Sequence, residues 1–198
     1  LIITDPPKPQ PTDFWEFIEQ QSFLTRHLLF TLSPPLKEKA QLLANHLEQP
    51  ILIHAAPDGG VKMETGAFGW FLKAHDTTIS GSGPADGNKA DLDPARAELY
   101  GVLAVLTYVH AVIRYYTLAP TATLHVHCDS DSAIDTINTF LQIDEFDEFA
   151  TTFRCQANYD LVAEIVHLID LLPISIEIRK EKGHQDANTE LNLLTLPA

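Results

Sequence analysis

Thirteen residues, Ala122 to Ile134, read ATLHVHCDSDSAI and limit the fold more than any other stretch. Leu124, Val126 and Cys128 alternate with His125 and His127, the period-2 pattern of a strand with one face buried. The run then delivers Asp129 and Asp131 where an amphipathic helix starts near Ser130 or Ser132. Upstream, Asp93-Pro94 is a helix start, with Asp as the cap and Pro at the first helical position. The helix continues through ARAELYGVLAVLTYVHAVIRYY and carries Leu99, Leu103, Leu106, Val109 and Ile113 on one stripe. A long helix that feeds a short buried strand, itself leading into another helix, calls for a sheet with crossover connections. In such α/β sheets ligands sit at the carboxyl ends of strands, which makes Asp129 a candidate for chemistry.

Three strands precede the long helix. ILIHAAP from Ile51 runs into Asp58-Gly59-Gly60, Gly66 to Ala74 is the second, and Thr77 to Ser82 the third. Short connections make them an antiparallel meander. Gly59, Gly60, Gly66 and Gly69 suit tight hairpins and close backbone approach, since no phosphate-cradling glycine motif is present. After the fourth strand come a helix from Ser132 to Phe140, an acidic segment at 142–150 read as solvated surface, a helix from Tyr159 to Leu172, and a last strand through Ile174, Ile176 and Ile178. The order β-β-β-α-β-α-α-β gives an α/β fold with a mixed five-stranded sheet. Three antiparallel strands are followed by parallel ones, with helices on both faces. Residues 1–12, rich in proline, are a linker. Residues 13–50 hold two helical patterns, one from Asp13 broken near Ser22 and one from Leu36 to Leu47, and form a helical arm or the remnant of a preceding domain. Residues 51–198 are the main domain.

Hydrophobic residues make up 45% of the 198, enough for a sizeable core. No run approaches 18 consecutive apolar residues, so no membrane partner is expected. The start at Leu1 is neither a signal peptide nor an ordinary initiation site, and a fragment of a longer polypeptide is expected. Cys128 and Cys155 have no metal-site or disulfide spacing, which points to free thiols in a reducing compartment, cytoplasm or nucleus. The formal charge of −14, most of it after residue 50, argues against broad nucleic-acid affinity. A phosphate-bearing substrate would need divalent cations, a local basic patch or basic neighbouring domains.

Three carboxylates stand out by position: Asp58 at the first strand's end, Glu98 in the apolar helix, and Asp129 at the fourth strand's end. If strands one and four pair in parallel, Asp58 and Asp129 become neighbours with Glu98 over them. Three such anions repel one another and raise one pKa unless cations neutralise them. Oxygen donors of this kind suit Mg²⁺ or Mn²⁺, and two such ions can support in-line hydrolysis of a phosphodiester.

At this point the chain resembles the ribonuclease H domain of a retroelement reverse transcriptase polyprotein. The matching pieces are PDGG at 57–60, GAFGWFL at 66–72, RAELYG at 96–101, HCDSDSAI at 127–134, NYDLVAEI at 158–165 and KGHQD at 182–186, spanning about residues 51–198. The resemblance implies a ribonuclease H-like fold and two-metal hydrolysis of the RNA strand of RNA/DNA hybrids, with Mg²⁺ or Mn²⁺ held by Asp58, Glu98 and Asp129. It makes His184 the loop histidine of product release or proton transfer, and a reverse transcriptase domain in the same polyprotein the expected partner. The family's fourth carboxylate, about ten residues after the Gly-His pair, has no counterpart, because position 194 is Leu and no acid follows Glu190. Truncation is the preferred explanation, with Asp186 or Glu190 as substitutes, or a degenerate site, as alternatives. The alternative function is a catalytically inactive module binding nucleic acid or partner domains in a larger polymerase protein.

Each residue also has a plainer reading. Asp131 is a helix cap. Asp58 could belong to an Asp-Gly turn, and Pro57, lacking a ladder N–H, could mark a bulge or an early strand end. Glu98 could pair with Arg96 or Arg154, and His184 could be plain surface. His125, His127 and Asp129 share a strand face and resemble a zinc arrangement, with packed or hydrogen-bonded histidines as the favoured reading. Lys180 and Lys182 could meet a phosphate backbone or be surface charge. Gln185 and Asn188 could touch substrate.

Overall fold

The computed structural model describes residues 10–29, 36–87, 92–142 and 157–181. Three short helices come first: α1 (Phe14–Glu19), α2 (Phe23–Leu29) and α3 (Leu36–Leu47). The meander β1 (Leu52–Lys62), β2 (Thr65–Ala74) and β3 (Thr77–Ala85) follows. Then come α4 (Pro94–Tyr116), β4 (Thr123–Cys128), α5 (Asp131–Leu141), α6 (Tyr159–Leu171) and β5 (Ser175–Lys180). The five strands form one sheet in the order β3-β2-β1-β4-β5. β1 pairs antiparallel with β2 and parallel with β4, β2 pairs antiparallel with β3, and β4 pairs parallel with β5. This is the mixed, helix-flanked sheet expected from the alternation of strand and helix periods.

Why α4 lies at the centre follows from its sequence. The Asp93 side chain caps it by accepting from the Arg96 N–H at 2.7 Å, Pro94 opens it, and Thr117 ends it in a left-handed conformation (φ 53°). Between these signals the helix is apolar on nearly every side, and it is buried almost throughout from Arg96 to Ile113. It is long and apolar enough to cross a membrane by composition, but 94% of that apolar window is buried inside the protein, as the core helix of an α/β domain would be. Phe14, Ile18, Leu28, Leu29, Leu43 and Leu47 of α1–α3 join the same core as Ile53, Leu72 and Leu124 of the sheet. Phe14 meets Tyr108 of α4 edge-on at 6.1 Å, and Trp70 of β2 covers the same ring at 5.3 Å.

The structure corrects the expected end of β1. Asp58-Gly59-Gly60 is not a turn but mid-strand, with Asp58 opposite Gly69 and the ladder continuing to Lys62 opposite Thr65. The turn falls on Met63 and Glu64, both at positive φ (48° and 63°), as a two-residue hairpin requires. Pro57 is tolerated because β1 pairs with β4 only from Leu52 to Ala55, so Pro57 lies where one neighbour has already been left behind. At the other end of the crossover, Ser130 and not Asp131 caps α5, its hydroxyl accepting from the Ala133 N–H at 3.3 Å. Asp131 is the first helical residue and pairs with Lys180 at 2.5 Å, where its charge also favours the helix N-terminus.

Candidate functional site

Two glycines bring the carboxylates together. A Cβ at Gly59 would run into the backbone of Ala97 and Glu98, and one at Gly101 would stand 2.9 Å from Pro57 Cβ and 3.1 Å from the Gly69 carbonyl. With neither Cβ present, α4 settles against β1 and β2 at the level of Asp58. The Gly59 N–H then donates to Glu98 Oε1 at 3.0 Å, tying the helix carboxylate to the strand. Glu98 is 6% exposed, and its other oxygen, Oε2, is buried with no hydrogen-bond partner among the described residues.

The electrostatics follow from that burial. Loss of water pushes the Glu98 carboxyl up to about 7; the Gly59 N–H opposes the shift, while the charges of Asp129 and Asp58 add to it. Burial likewise raises the Cys128 thiol to about 11, with Glu98, Asp129 and Asp58 contributing in the same direction. Asp58 and Asp129 are exposed and sit within the electrostatic reach of the buried Glu98. Arg96 does not neutralise Glu98. Its guanidinium instead makes a two-pronged contact with Asp160 (3.0 and 2.7 Å), and it also donates to Asn158 Oδ1 and the Asp86 carbonyl. That network holds the start of α6 against the start of α4 and leaves the three carboxylates without this cation. His184 lies outside the described residues, as do Arg154, Cys155, Lys182, Gln185, Asp186, Asn188 and Glu190.

A second cluster stands on the face that alternates away from Ile53, Ala55 and Pro57. The parallel register sets His54 of β1 beside His125 of β4, with His127 two residues further on. His54 Nδ1 and His127 Nε2 are 2.9 Å apart. Among the described residues, His54, His125 and His127 are the one set of three or more potential ligands gathered closely enough to hold a metal ion, one atom from each lying within 4.8 Å of the others. The three carboxylates are not drawn together to that degree. Burial, then the neighbouring His127 and His125, holds His54 below the usual histidine range, and burial does the same to His125. His125 and His127 were legible as one face of a strand. His54 was not, because only the pairing of β1 with β4 brings it to them.

No protein-family model and no curated protein sequence matches the chain. Among solved structures it is similar to LC11-RNase H1, isolated from compost by a metagenomic approach and crystallised in complex with an RNA/DNA hybrid. The TM-score is 0.50 at 14% identity, over 68% of this chain and 88% of that one. The RNase H1 of the halophilic archaeon Halobacterium salinarum NRC-1 aligns at 17% identity over 67% and 86% of the two chains, with a TM-score of 0.41. The foamy viral protease-reverse transcriptase, solved in complex with dsDNA, aligns at 15% identity over 72% and 86%, with a TM-score of 0.43. Strand order, the parallel β1–β4 pair bridged by α4, and the likeness to LC11-RNase H1 agree on one conclusion: the chain has the ribonuclease H-like fold.

Proposed function

We propose that this chain is a nucleic-acid-binding ribonuclease H-like module whose contact with an RNA/DNA hybrid is mediated by a divalent cation at Asp58, Glu98 and Asp129. The observation that carries the reading is Glu98, a carboxyl lifted to about 7 first by burial and then by the charges of Asp129 and Asp58 and a side-chain contact with Asp58, with no donor reaching its Oε2 among the described residues. Oxygen donors alone suit Mg²⁺ or Mn²⁺, and an orphaned buried carboxylate oxygen fits a cation that supplies its missing partner. A cation there also eases the charge problem, because a chain of net −14 repels a phosphate backbone and a divalent ion is one means of bridging the two.

Hydrolysis of the RNA strand is the finer reading, supported by the same carboxylates and by the sequence resemblance. Bound Mg²⁺ would activate water and stabilise the leaving oxygen. The chain's own part is positional. The Gly59 N–H fixes Glu98 Oε1, and the packing of α4 on β1 excludes water behind it; a cation bound there would hold Glu98 as the carboxylate. A catalytically silent module is the competing reading, favoured by the looser gathering of the carboxylates relative to the histidines. The reverse transcriptase domain expected as a partner belongs to this proposal on the strength of the resemblance alone.

Cleavage and binding separate these readings. Labelled RNA/DNA, DNA/DNA and RNA/RNA duplexes are incubated with the chain and Mg²⁺. Cleavage confined to the RNA of the hybrid, and lost in Asp129→Asn, supports hydrolysis. Preferential binding of the hybrid without cleavage supports the silent module, and binding to none of the three contradicts both.

A further inference from the structure

We propose that His54, His125 and His127 form a binding site for one divalent transition-metal ion of the zinc type, separate from the carboxylate site. The proposal rests on the backbone first. Parallel pairing sets His54 beside His125 across β1 and β4, and the same ladder sets His125 beside Glu177 and His127 beside Arg179 on β5. Side chains at alternate positions share a face, so three imidazoles converge from two strands. Their ring centres are 5.1 to 6.2 Å apart, and a nitrogen from each lies within 4.8 Å of the other two. Nitrogens around one tetrahedral zinc stand about 3.4 Å apart, given Zn–N distances of about 2.0–2.1 Å. Rotations of the imidazoles by about 1 Å at the nitrogen close the set.

The outer contacts are those of a prepared metal site. His127 Nδ1 donates to Glu181 Oε1 at 2.9 Å, while His125 Nε2 lies 3.4 Å from Glu177 Oε2, an oxygen that also accepts from Arg179. A carboxylate that accepts from the N–H of one ring nitrogen fixes the tautomer with the lone pair on the other nitrogen, the usual support for a metal-bound histidine. In His127 the nitrogen left over is Nε2, the one facing His54 Nδ1 at 2.9 Å. In His125, Nδ1 is buried in a residue 6% exposed and has no hydrogen-bond partner among the described residues. Histidines that merely pack would satisfy that nitrogen, since a buried polar atom left unpaired costs about 1–3 kcal/mol. A metal ion supplies the missing partner for His125 Nδ1 and would take the place of the proton in the His54 Nδ1–His127 Nε2 hydrogen bond. Imidazole donors select zinc, cobalt, nickel or copper over magnesium, so the two sites differ in the metal they take as well as in place. Three protein ligands leave a fourth position for water or another donor.

The test uses the full chain, stripped with a chelator and titrated with Zn²⁺ under excess Mg²⁺, with Co²⁺ as a spectroscopic stand-in. One equivalent of Zn²⁺ is expected to bind. His54→Gln and His127→Gln should each weaken it at least tenfold, Glu181→Gln should weaken it by about 10–100-fold, and Asp129→Asn should leave it unchanged. Co²⁺ should give the intense visible absorption of a four-coordinate site with three imidazole ligands. Circular dichroism checks that each variant is folded. If a histidine variant is not, Glu181→Gln, at a partly exposed position, and the wild-type Co²⁺ spectrum decide. Failure of the wild type to take up Zn²⁺, binding unaffected by His54→Gln, His127→Gln and Glu181→Gln, or a weak six-coordinate Co²⁺ spectrum overturns the proposal.

Discussion

Gly59 and Glu98 are where the smallest changes should have the largest effects. Adding a methyl group at Gly59 drives a Cβ into the backbone of Ala97 and Glu98, whereas at Gly60 nothing lies within 4 Å. Gly59→Ala should therefore cost several kcal/mol, at or beyond the upper end of the ~1–3 kcal/mol typical of overpacking, because backbone must move. Gly60→Ala should stay within about 0.5 kcal/mol, and urea denaturation of the two variants reads the contrast. Glu98 makes a pH prediction whose sign is the reverse of the usual acid. Its folded pKa, about 7, lies above the ordinary glutamate value of 4.5, so the folded state holds the proton more tightly and stability falls as pH rises from about 4.5 through 7. Glu98→Gln removes that loss while keeping an oxygen for the Gly59 N–H. The variant should gain on the wild type at pH 8, the gain should shrink toward pH 5, and Mg²⁺ at pH 8 should stabilise the wild type only. Denaturation at the two pH values with and without Mg²⁺ tests it, and a gap that does not change with pH would contradict it.

Between elements, Arg96 clamps α4, α6 and the end of the meander, with four donor contacts converging on one buried guanidinium. Arg96→Lys cannot reproduce the planar fork and should cost about 1–3 kcal/mol. The partner Asp160 is held below its usual range chiefly by its hydrogen bond from Arg96. This contribution is present above pH 3.8 and is lost as pH falls through the lower folded pKa. The hairpin between β1 and β2 allows the opposite outcome. Met63 is 88% exposed at φ 48°, and Met63→Asn, better suited to the left-handed region, should stabilise by up to about 1 kcal/mol.

That same hairpin shows what sequence could and could not supply. Apolar periodicity and the Asp93-Pro94 start were enough to find the core of every strand and α4, and the parallel β1–β4 pair, read as a condition, is present. The β1 turn was misplaced because glycine normally marks a turn, while Gly59 is here for helix approach and the turn falls on residues with no turn signature. Asp58, Glu98 and Asp129 could be paired on paper since each sits at a strand or helix position fixed by local pattern. The Arg96–Asp160 contact and the place of His54 beside His125 depend on which strands and helices become neighbours, information that local periodicity does not hold.

Across the whole molecule, the buried leucines of α2 and α3 sit in the core that α4 and the sheet share. Each such side chain contributes about 1.5–3 kcal/mol by burial, so deleting residues 13–50 should collapse the thermal transition of the remainder and not merely shorten the chain. A remainder that melts cooperatively at an unchanged temperature would show residues 13–50 to be dispensable. The proposed function belongs to the same scale: a chain of net −14 meets a phosphate backbone against its own charge, and cations bound at the carboxylates would offset that repulsion. The most direct measurement is the affinity for a labelled RNA/DNA hybrid by fluorescence anisotropy, with and without Mg²⁺, for the wild type and Asp129→Asn. The account predicts binding that requires Mg²⁺ and weakens at least tenfold in Asp129→Asn. Equal affinity with and without Mg²⁺, unchanged by the substitution, would contradict it.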